Sequence, residues 1–301
     1  MNNLKLKRGD TIGVIAPSRP LWNILREVDL GLKRLKKEGF KIKKGKNISK
    51  HLFYSAGTVQ ERVDDLHAMF LDKTIKAIIC ATGGSSSIDL LDKIDYEIIK
   101  NNPKPFIGYS DITALLLSIE KNRKNIAIHG PNAYELSYLD EISFRQFINL
   151  LTNPGEEIEL PSQMKVFKNG KKDGEIIGGN ITLINGLLSS RFLPSFDGKI
   201  LFWEEIGETP AMISFKLREL EISGKLKKLN GMVIGHLSDC VDKKYPKDNR
   251  DIRSIVLEIF LEYDFPIIQV DYFGHDIKNF CSFPLGKKCE INSEKKIFRI
   301  F

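Results

Sequence analysis

The sequence predicts an α/β protein of two domains, the first of which is built on a parallel sheet. In the first half, short apolar runs that end in turn residues alternate with segments whose apolar residues recur at helical spacing, a pattern typical of strands joined by helices. Between residues 153 and 173 this periodicity is lost, and polar and turn residues accumulate. We therefore expect domains at 1–152 and 174–301, joined by a linker at 153–173.

In the first half, strands and helices alternate along the chain, and a capping-box signature, Thr58 followed by Glu61, marks the start of the second helix. The predicted elements are an apolar strand within 11–18, a helix at 22–37, a strand at 40–43, a helix from Thr58 to Phe70, a strand at 75–81, a helical segment at 88–91, a strand at 106–107 and a strand at 125–128.

A strand-to-helix corner at Ser110 is the first candidate functional feature. Apolar residues at 112, 115, 116 and 119 form one stripe of the following helix, and Ser110 is expected at its N-cap. Such a corner holds the hydroxyl out of the sheet, and the free N–H groups of the helix lie where an oxyanion would form. Ser110 is therefore either a nucleophile or an ordinary N-cap residue.

A glycine loop follows the strand at 75–81, in the run Thr82-Gly83-Gly84-Ser85-Ser86-Ser87. The glycines permit close approach of the backbone. A phosphate-binding loop is the alternative, but neither glycine-rich nucleotide motif is present, so a loop that donates N–H groups to an oxyanion is favoured. Gly84, Ser110 and His129 would all lie at the carboxyl edge of a parallel sheet, where ligands gather.

The second half contains further strands and helices, and one hydrophobic strand ends in two carboxylates, Glu204 and Glu205. The predicted elements are a helix from about 180 to 188, a strand at 199–203, a helix at about 214–222, a strand at 231–236, a helix at 252–263, a strand at 266–270 that delivers the loop 271–276, and short strands to the end.

A serine nucleophile needs a base and an acid that orients it, and five histidines compete for the first role. His51 and His67 lie on a loop and a helix and are expected at the surface. His129, His236 and His275 all follow strands, and spacing does not choose among them. For the acid, Glu204 and Glu205 are equally placed, either buried with a partner or exposed at a strand end.

Composition narrows the class of protein. The 301 residues are 42% hydrophobic and 28% charged, with a net charge of +7 that suits carboxylate-bearing substrates. No membrane-length apolar run, no apolar signal after Met1–Asp10 and no basic motif for a nucleic acid polymer is found, so we expect a cytoplasmic protein away from membranes. The four cysteines show neither zinc-site spacing nor a disulfide framework and are expected to be reduced.

At the level of motifs, the chain resembles the serine LD-carboxypeptidases and their relatives, the microcin C immunity peptidases. The resemblance extends in order from near residue 11 to near residue 290. It is carried by Ala81-Thr82-Gly83-Gly84, Asn102-Pro103-Lys104, Gly108 to Leu115, His129-Gly130-Pro131, Gly178-Gly179-Asn180, Leu201 to Glu205, Gly274-His275 and Phe283-Pro284-Leu285-Gly286.

This resemblance implies a catalytic triad and assigns its members. Ser110 is the implied nucleophile, His275 the general base and Glu204 the acid, while the backbone N–H groups of Gly84 and Asp111 form the oxyanion hole. It further implies a Rossmann-like N-terminal domain that carries the serine, a smaller, strand-rich C-terminal domain that carries acid and base, no metal or organic cofactor, and a homodimer.

The resemblance also implies the substrate, an amide next to a terminal carboxylate, with release of D-alanine from murein tetrapeptides. LD-carboxypeptidases usually have an arginine before the two glycines and a tyrosine after them, where this chain has Thr82 and Ser85, which is closer to the immunity branch that cleaves peptidyl or aminoacyl nucleotides. A non-enzymatic module that binds a small ligand is the alternative from another class. Aromatic residues available to stack on a nucleobase are Trp22, Tyr109, Trp203 and Phe273.

Overall fold

The computed structural model describes residues 5–122, 126–160 and 163–301 and divides the chain into two compact units. The first unit runs to Glu156 and also takes in Lys278–Leu285, and the second comprises Glu157–Ile277 and Gly286–Phe301. The division falls within the expected linker, but eight residues late in the chain belong to the first unit, which the predicted ranges did not include.

Strands and helices alternate through most of the described chain. The strands are β1 (Thr11–Ile15), β2 (Lys41–Lys44), β3 (Ile75–Cys80), β4 (Phe106–Gly108), β5 (Ala127–His129), β6 (Ile158–Glu159), β7 (Lys165–Lys168), β8 (Lys171–Asn180), β9 (Lys199–Ile206), β10 (Gly231–Ser238), β11 (Ile267–Gln269), β12 (Phe283–Pro284), β13 (Lys288–Asn292) and β14 (Ile297–Ile300). The α-helices are α1 (Leu25–Lys37), α2 (Val59–Leu71), α3 (Tyr96–Asn101), α4 (Thr113–Asn122), α5 (Glu141–Thr152), α6 (Ile181–Gly186), α7 (Pro210–Ile222) and α8 (Ile252–Phe260).

The sheet of the first unit confirms the predicted parallel core. Its strand order is β12-β5-β4-β3-β1-β2, in which β1 to β5 run parallel and β12 is added antiparallel to β5. β3, β4 and β5 are almost wholly buried, which is why they are continuous apolar runs in the sequence. Because they are parallel, the loops after β3, β4 and β5 emerge at one edge of this sheet, as predicted.

The helix α2 begins as the capping box predicted. The side chain of Thr58 accepts a hydrogen bond from the backbone N–H of Glu61, and the side chain of Glu61 accepts one from the N–H of Thr58. Two donors that the helix itself leaves unsatisfied are therefore paired locally, so this boundary is specified by neighbouring residues.

The second unit is built on a mixed sheet with the strand order β6-β14-β13-β8-β9-β10-β11-β7. β8 to β11 run parallel in its centre and the outer pairs are antiparallel. Together with the first unit this confirms the predicted α/β class with a strand-rich second domain. The strand predicted from Asn125 begins at a residue outside the described ranges, and β5 starts at Ala127.

Two predictions in this region require correction. The stretch 153–173 is not an irregular linker, because β6, β7 and the start of β8 lie within it; Pro161 falls outside the described residues. β6 and β7 are the outermost strands of their sheet, and such strands carry charged residues that hide their apolar periodicity. The strand predicted to end at Trp203 continues through Glu204 and Glu205, so both carboxylates lie inside β9.

The structure also bears on the cysteines, on membrane-spanning helices and on metal sites. Cys80, Cys240, Cys281 and Cys289 are free thiols. Within 5–122, 126–160 and 163–301, no helix combines the length and apolar character needed to cross a membrane. Over the same ranges, no three His, Cys, Asp or Glu side chains gather in a group that could hold a metal ion.

Candidate active site

Ser110 lies at a sharp corner between β4 and α4. Tyr109 is fully extended, with φ −157°, and Ser110 then adopts φ +63°, in the left-handed region that non-glycine residues avoid. A short 3-10 turn, Ser110–Ile112, leads into α4. The serine is thus the first residue of the turn, whereas an N-cap had been predicted, and its strained backbone is typical of functional corners.

The glycine loop after β3 lies directly against this corner. A Cβ atom added at Gly83 would lie 3.0 Å from Ser110 Oγ, and one added at Gly84 would lie 2.2 Å from Ser18 Oγ. Gly84 also has φ +150°, a conformation that side chains rarely permit. The two glycines are required because the backbone passes too close to Ser110 and Ser18 for a side chain. Of the predicted oxyanion residues, Asp111 follows Ser110 directly, and Gly84 follows Gly83, the glycine that lies against Ser110.

In the second unit, His275 and Glu204 form a buried pair. Nδ1 of His275 lies 2.7 Å from Oε2 of Glu204, and the two residues are only 9% and 0% exposed. A carboxylate accepts, so Nδ1 carries the proton and Nε2 is the basic nitrogen of the neutral ring. The other oxygen of Glu204, Oε1, has no hydrogen-bond partner within the described ranges, so the hydrogen bond to His275 is the one that orients this carboxylate.

The loop that carries His275 is held against β10. The backbone N–H of His236 donates to the carbonyl of Phe273 at 2.8 Å. Gly274 has φ +132°, and a Cβ there would lie 2.8 Å from the carbonyl oxygen of His236. This close approach explains the glycine before His275, because the loop lies against the backbone of β10 at that point.

Glu205 points to the opposite face of β9 from Glu204, as the alternation of side chains along a strand predicts. Its Oε1 accepts from Nδ2 of Asn180 at 2.8 Å and from the N–H of Ile206 at 2.9 Å. Its Oε2 accepts from the N–H of Thr182 at 3.2 Å and from the hydroxyl of the same residue. Glu205 is therefore a buried acceptor that secures the first turn of α6.

The other two histidines that follow strands, His129 and His236, lie in different surroundings. His129 is fully buried, with its ring stacked between those of Phe280 and Phe283 at centroid distances of 5.4 and 5.3 Å. His236 is partly exposed and lies 3.7 Å from a carboxylate oxygen of Asp271. The structure thus separates the three histidines that spacing left equal, and His275 is the one paired with a carboxylate from the predicted Glu204/Glu205 position.

Among the aromatic residues considered for stacking on a base, three belong to the core. Tyr109, Trp203 and Phe273 are 2%, 0% and 0% exposed. Trp22 is 66% exposed, and its ring stacks on that of His51 at a centroid distance of 6.1 Å.

Sequence reasoning missed a set of buried polar residues around the serine corner. Ser18, Arg62, Ser86 and Ser87 are nearly inaccessible and hydrogen bond to one another or to Asp111. The only sequence signal was the presence of polar residues in otherwise apolar or glycine-rich stretches, and that pattern does not identify partners 24 to 93 residues apart.

Comparison with known proteins shows which family the chain resembles over most of its length. Residues 12–130 match the family model described as the LD-carboxypeptidase N-terminal domain, and residues 173–291 match that of the C-terminal domain. The chain is 33% identical to the probable murein peptide carboxypeptidase of Bacillus subtilis, over 97% of this chain and 91% of the relative. It is 29% identical to the microcin C7 self-immunity protein MccF of Escherichia coli, over 96% and 92%.

Solved structures extend the likeness to the fold. The crystal structure of an MccF-like protein from Bacillus anthracis matches with a TM-score of 0.90 and 30% identity, covering 99% of this chain and 98% of that one. Both domain models match in the expected order and together span most of the sequence, and relatives of similar length match from end to end. The chain belongs to the LD-carboxypeptidase family.

Proposed function

We propose that this protein is a serine peptidase that hydrolyses an amide next to a terminal carboxylate and releases D-alanine from murein tetrapeptides. The roles are those of a Ser-Glu-His triad, with Ser110 as nucleophile, His275 as general base and Glu204 as orienting acid. Gly84 and Asp111 supply the oxyanion N–H groups. The proposal requires Ser110 of the first unit to reach His275 of the second in the working enzyme.

The observation that carries the proposal is the buried contact between His275 and Glu204, two residues 71 positions apart. A carboxylate on Nδ1 holds the imidazole in the tautomer whose Nε2 accepts a proton, and it stabilises the imidazolium that follows. The left-handed backbone at Ser110 supports the nucleophile assignment independently, because strained serine corners present the hydroxyl away from the sheet.

The chemistry then proceeds in two steps. Nε2 of His275 takes the proton from Ser110 as Oγ bonds to the scissile carbonyl carbon, and the resulting oxyanion is stabilised by the N–H groups of Gly84 and Asp111. The amide C–N bond breaks as His275 returns the proton to the departing amine. Water, deprotonated by the same ring, hydrolyses the acyl-enzyme and restores the serine.

A paired mass-spectrometric assay tests the proposal. Disaccharide tetrapeptide incubated with the wild-type protein should lose its terminal alanine, and Ser110→Ala and His275→Ala should abolish that loss. Ser118→Ala is the matched control, because within 5–122, 126–160 and 163–301 the hydroxyl of this buried residue on α4 bonds only to the carbonyl of Leu115. Retained hydrolysis in folded Ser110→Ala would refute the assignment of the nucleophile.

An observation also favours a second substrate class, peptidyl or aminoacyl nucleotides. Thr82 and Ser85 stand where LD-carboxypeptidases usually have arginine and tyrosine, and Trp22 is an exposed ring able to stack on a base. The assay therefore includes a peptidyl nucleotide in parallel. Cleavage of that compound alone selects the immunity-type activity, and binding of either compound without cleavage favours a non-enzymatic module.

The proposal includes a small-peptide or muropeptide partner, no cofactor, a cytoplasmic place of action and a homodimer. The homodimer comes from the family resemblance alone. Light scattering at assay concentration measures the assembly, and a mass of 34.3 kDa, that of one chain, would contradict the dimer. Cell fractionation tests the compartment.

A further inference from the structure

The carboxylate of Asp111 is the centre of a buried network beside the serine corner. Its Oδ2 accepts from Ser18 Oγ at 2.5 Å, from the N–H of Ser86 at 3.1 Å and from the N–H of Ser87 at 2.9 Å. The hydroxyl of Ser87 in turn donates to the backbone carbonyl of Asp111 at 2.6 Å. One side chain therefore joins the loops that follow β1, β3 and β4.

Arg62, on α2, holds the same glycine-loop segment from its other side. Its Nη1 donates to the carbonyl of Ser86 at 2.8 Å, to the hydroxyl of Ser86 at 3.0 Å and to the carbonyl of Pro17 at 2.9 Å. The backbone N–H of Ser86 thus donates to Asp111, and its carbonyl accepts from Arg62. Both ionic side chains are nearly inaccessible, 2% and 3% exposed, and such groups are costly to bury unless their hydrogen bonds are satisfied.

The two charges are also coupled electrostatically. Burial lowers the pKa of Arg62, and the carboxylates of Asp89 and Asp111 oppose that effect. Arginine stays protonated at neutral pH, so a cation and an anion face each other across Ser86.

The hydrogen bonds of Asp111 and Arg62 act on the backbone that is proposed to stabilise the oxyanion. Ser18, whose hydroxyl donates to Asp111, is the residue that a Cβ on Gly84 would meet most closely. Ser86 lies two residues after Gly84 on the same loop. Asp111 itself follows Ser110 directly. Resting on the proposed function, we infer that Asp111, through its carboxylate, and Arg62 are positioning residues that hold the backbone of Gly84 and Asp111 in register with Ser110.

Variants test the inference through the split between kcat and KM. Asp111→Asn loses the charge and part of its acceptor capacity, and Arg62→Met loses the donors to Ser86. Each is expected to lower kcat about 10- to 100-fold with KM changed less than about threefold, because misplacing catalytic groups by up to about 1 Å has effects of this size. Arg62→Lys, which keeps a cationic donor, should recover part of the loss. In the double variant, kcat should fall by less than the product of the two single-variant factors, since both residues act on Ser86.

A second readout does not depend on the peptide substrate. The rate at which a fluorophosphonate forms a bond from Ser110 Oγ to phosphorus, with loss of fluoride, should fall in parallel with kcat, because its intermediate uses the same oxyanion donors. The matched control is Asp65→Asn, which removes a buried carboxylate on α2 that accepts from Asn47. It should lower thermal stability and leave kcat unchanged.

Four outcomes overturn the inference. Full kcat in folded Asp111→Asn and Arg62→Met refutes it, and so does an equal loss in Asp65→Asn. If Asp111→Asn does not fold, Ser18→Ala removes one donor to the same carboxylate, and an unchanged labelling rate in that variant refutes the inference. A wild-type protein that neither hydrolyses substrate nor reacts with the fluorophosphonate overturns the proposed function as well, whereas an active wild type with active variants overturns the inference alone.

Discussion

Exchanging Glu204 and Glu205 in turn for glutamine should separate catalysis from stability. In Glu204→Gln the amide replaces the carboxylate that faces Nδ1 of His275 at 2.7 Å. An amide N–H₂ at this place favours the tautomer with its proton on Nε2, which cannot accept the proton of Ser110. Loss of the orienting carboxylate lowers kcat by about 10⁴-fold in other serine triads, equivalent to about 5 kcal/mol of transition-state stabilisation.

Glu205→Gln should have the opposite profile. Both oxygens of Glu205 accept hydrogen bonds, from Asn180 and Ile206 on one side and from Thr182 on the other. In the glutamine variant, one of these two oxygens is replaced by an amide nitrogen, which cannot accept the hydrogen bonds that are donated there. Leaving a buried donor unsatisfied costs about 1 to 3 kcal/mol, so we expect the free energy of unfolding to fall by about 2 to 4 kcal/mol. We expect kcat to fall less than about tenfold, because this side chain lies on the face of β9 away from His275.

The assay is alanine release by each variant, with urea denaturation on the same samples. Glu204→Gln should unfold close to the wild type while losing activity, and Glu205→Gln should show the reverse. If folded Glu205→Gln is the slower enzyme and Glu204→Gln the less stable protein, the acid has been misassigned and the reasoning from the register of β9 is wrong.

Three further changes test other parts of the structure. Gly84→Ala should reduce kcat by more than about 100-fold while the protein still folds, because the added Cβ would meet Ser18 at 2.2 Å and disturb the oxyanion loop; normal activity would contradict that role. Thr58→Ala should cost about 1 kcal/mol in urea denaturation with kcat unchanged, and no loss would mean that the cap contributes nothing. Burial lowers the pKa of Lys104 from 10.5 to about 8, so the unfolded chain binds more protons across that window and stability should rise with pH there. Lys104→Met should remove the rise between about pH 8 and about pH 10.5, and an identical slope in both proteins would refute the buried-ammonium explanation.

Features that depend on neighbouring residues could be predicted from the sequence. The boundary of α2 follows from Thr58 and Glu61, three residues apart, because their hydrogen bonds close within a single turn. The corner at Ser110 was predicted from the apolar strand before it and the helical stripe after it, although the left-handed backbone of the serine was not. Periodicity failed at 153–173, where outer strands rich in charge lack the apolar alternation of inner ones.

The sequence by itself determined the fold class, the alternation of strands and helices in the first half and a short set of candidate residues, because apolar periodicity and local capping are encoded by residues within a few positions of each other. The tertiary structure shows the contact between His275 and Glu204 that the family resemblance implied, and it alone decided that Glu205 serves α6 and that Asp111 and Arg62 hydrogen bond to Ser86 from two sides. These contacts join residues 23 to 71 positions apart, and their partners are set by strand register and loop packing. A one-residue change of register in β9 would exchange the two glutamates without altering the composition of the strand.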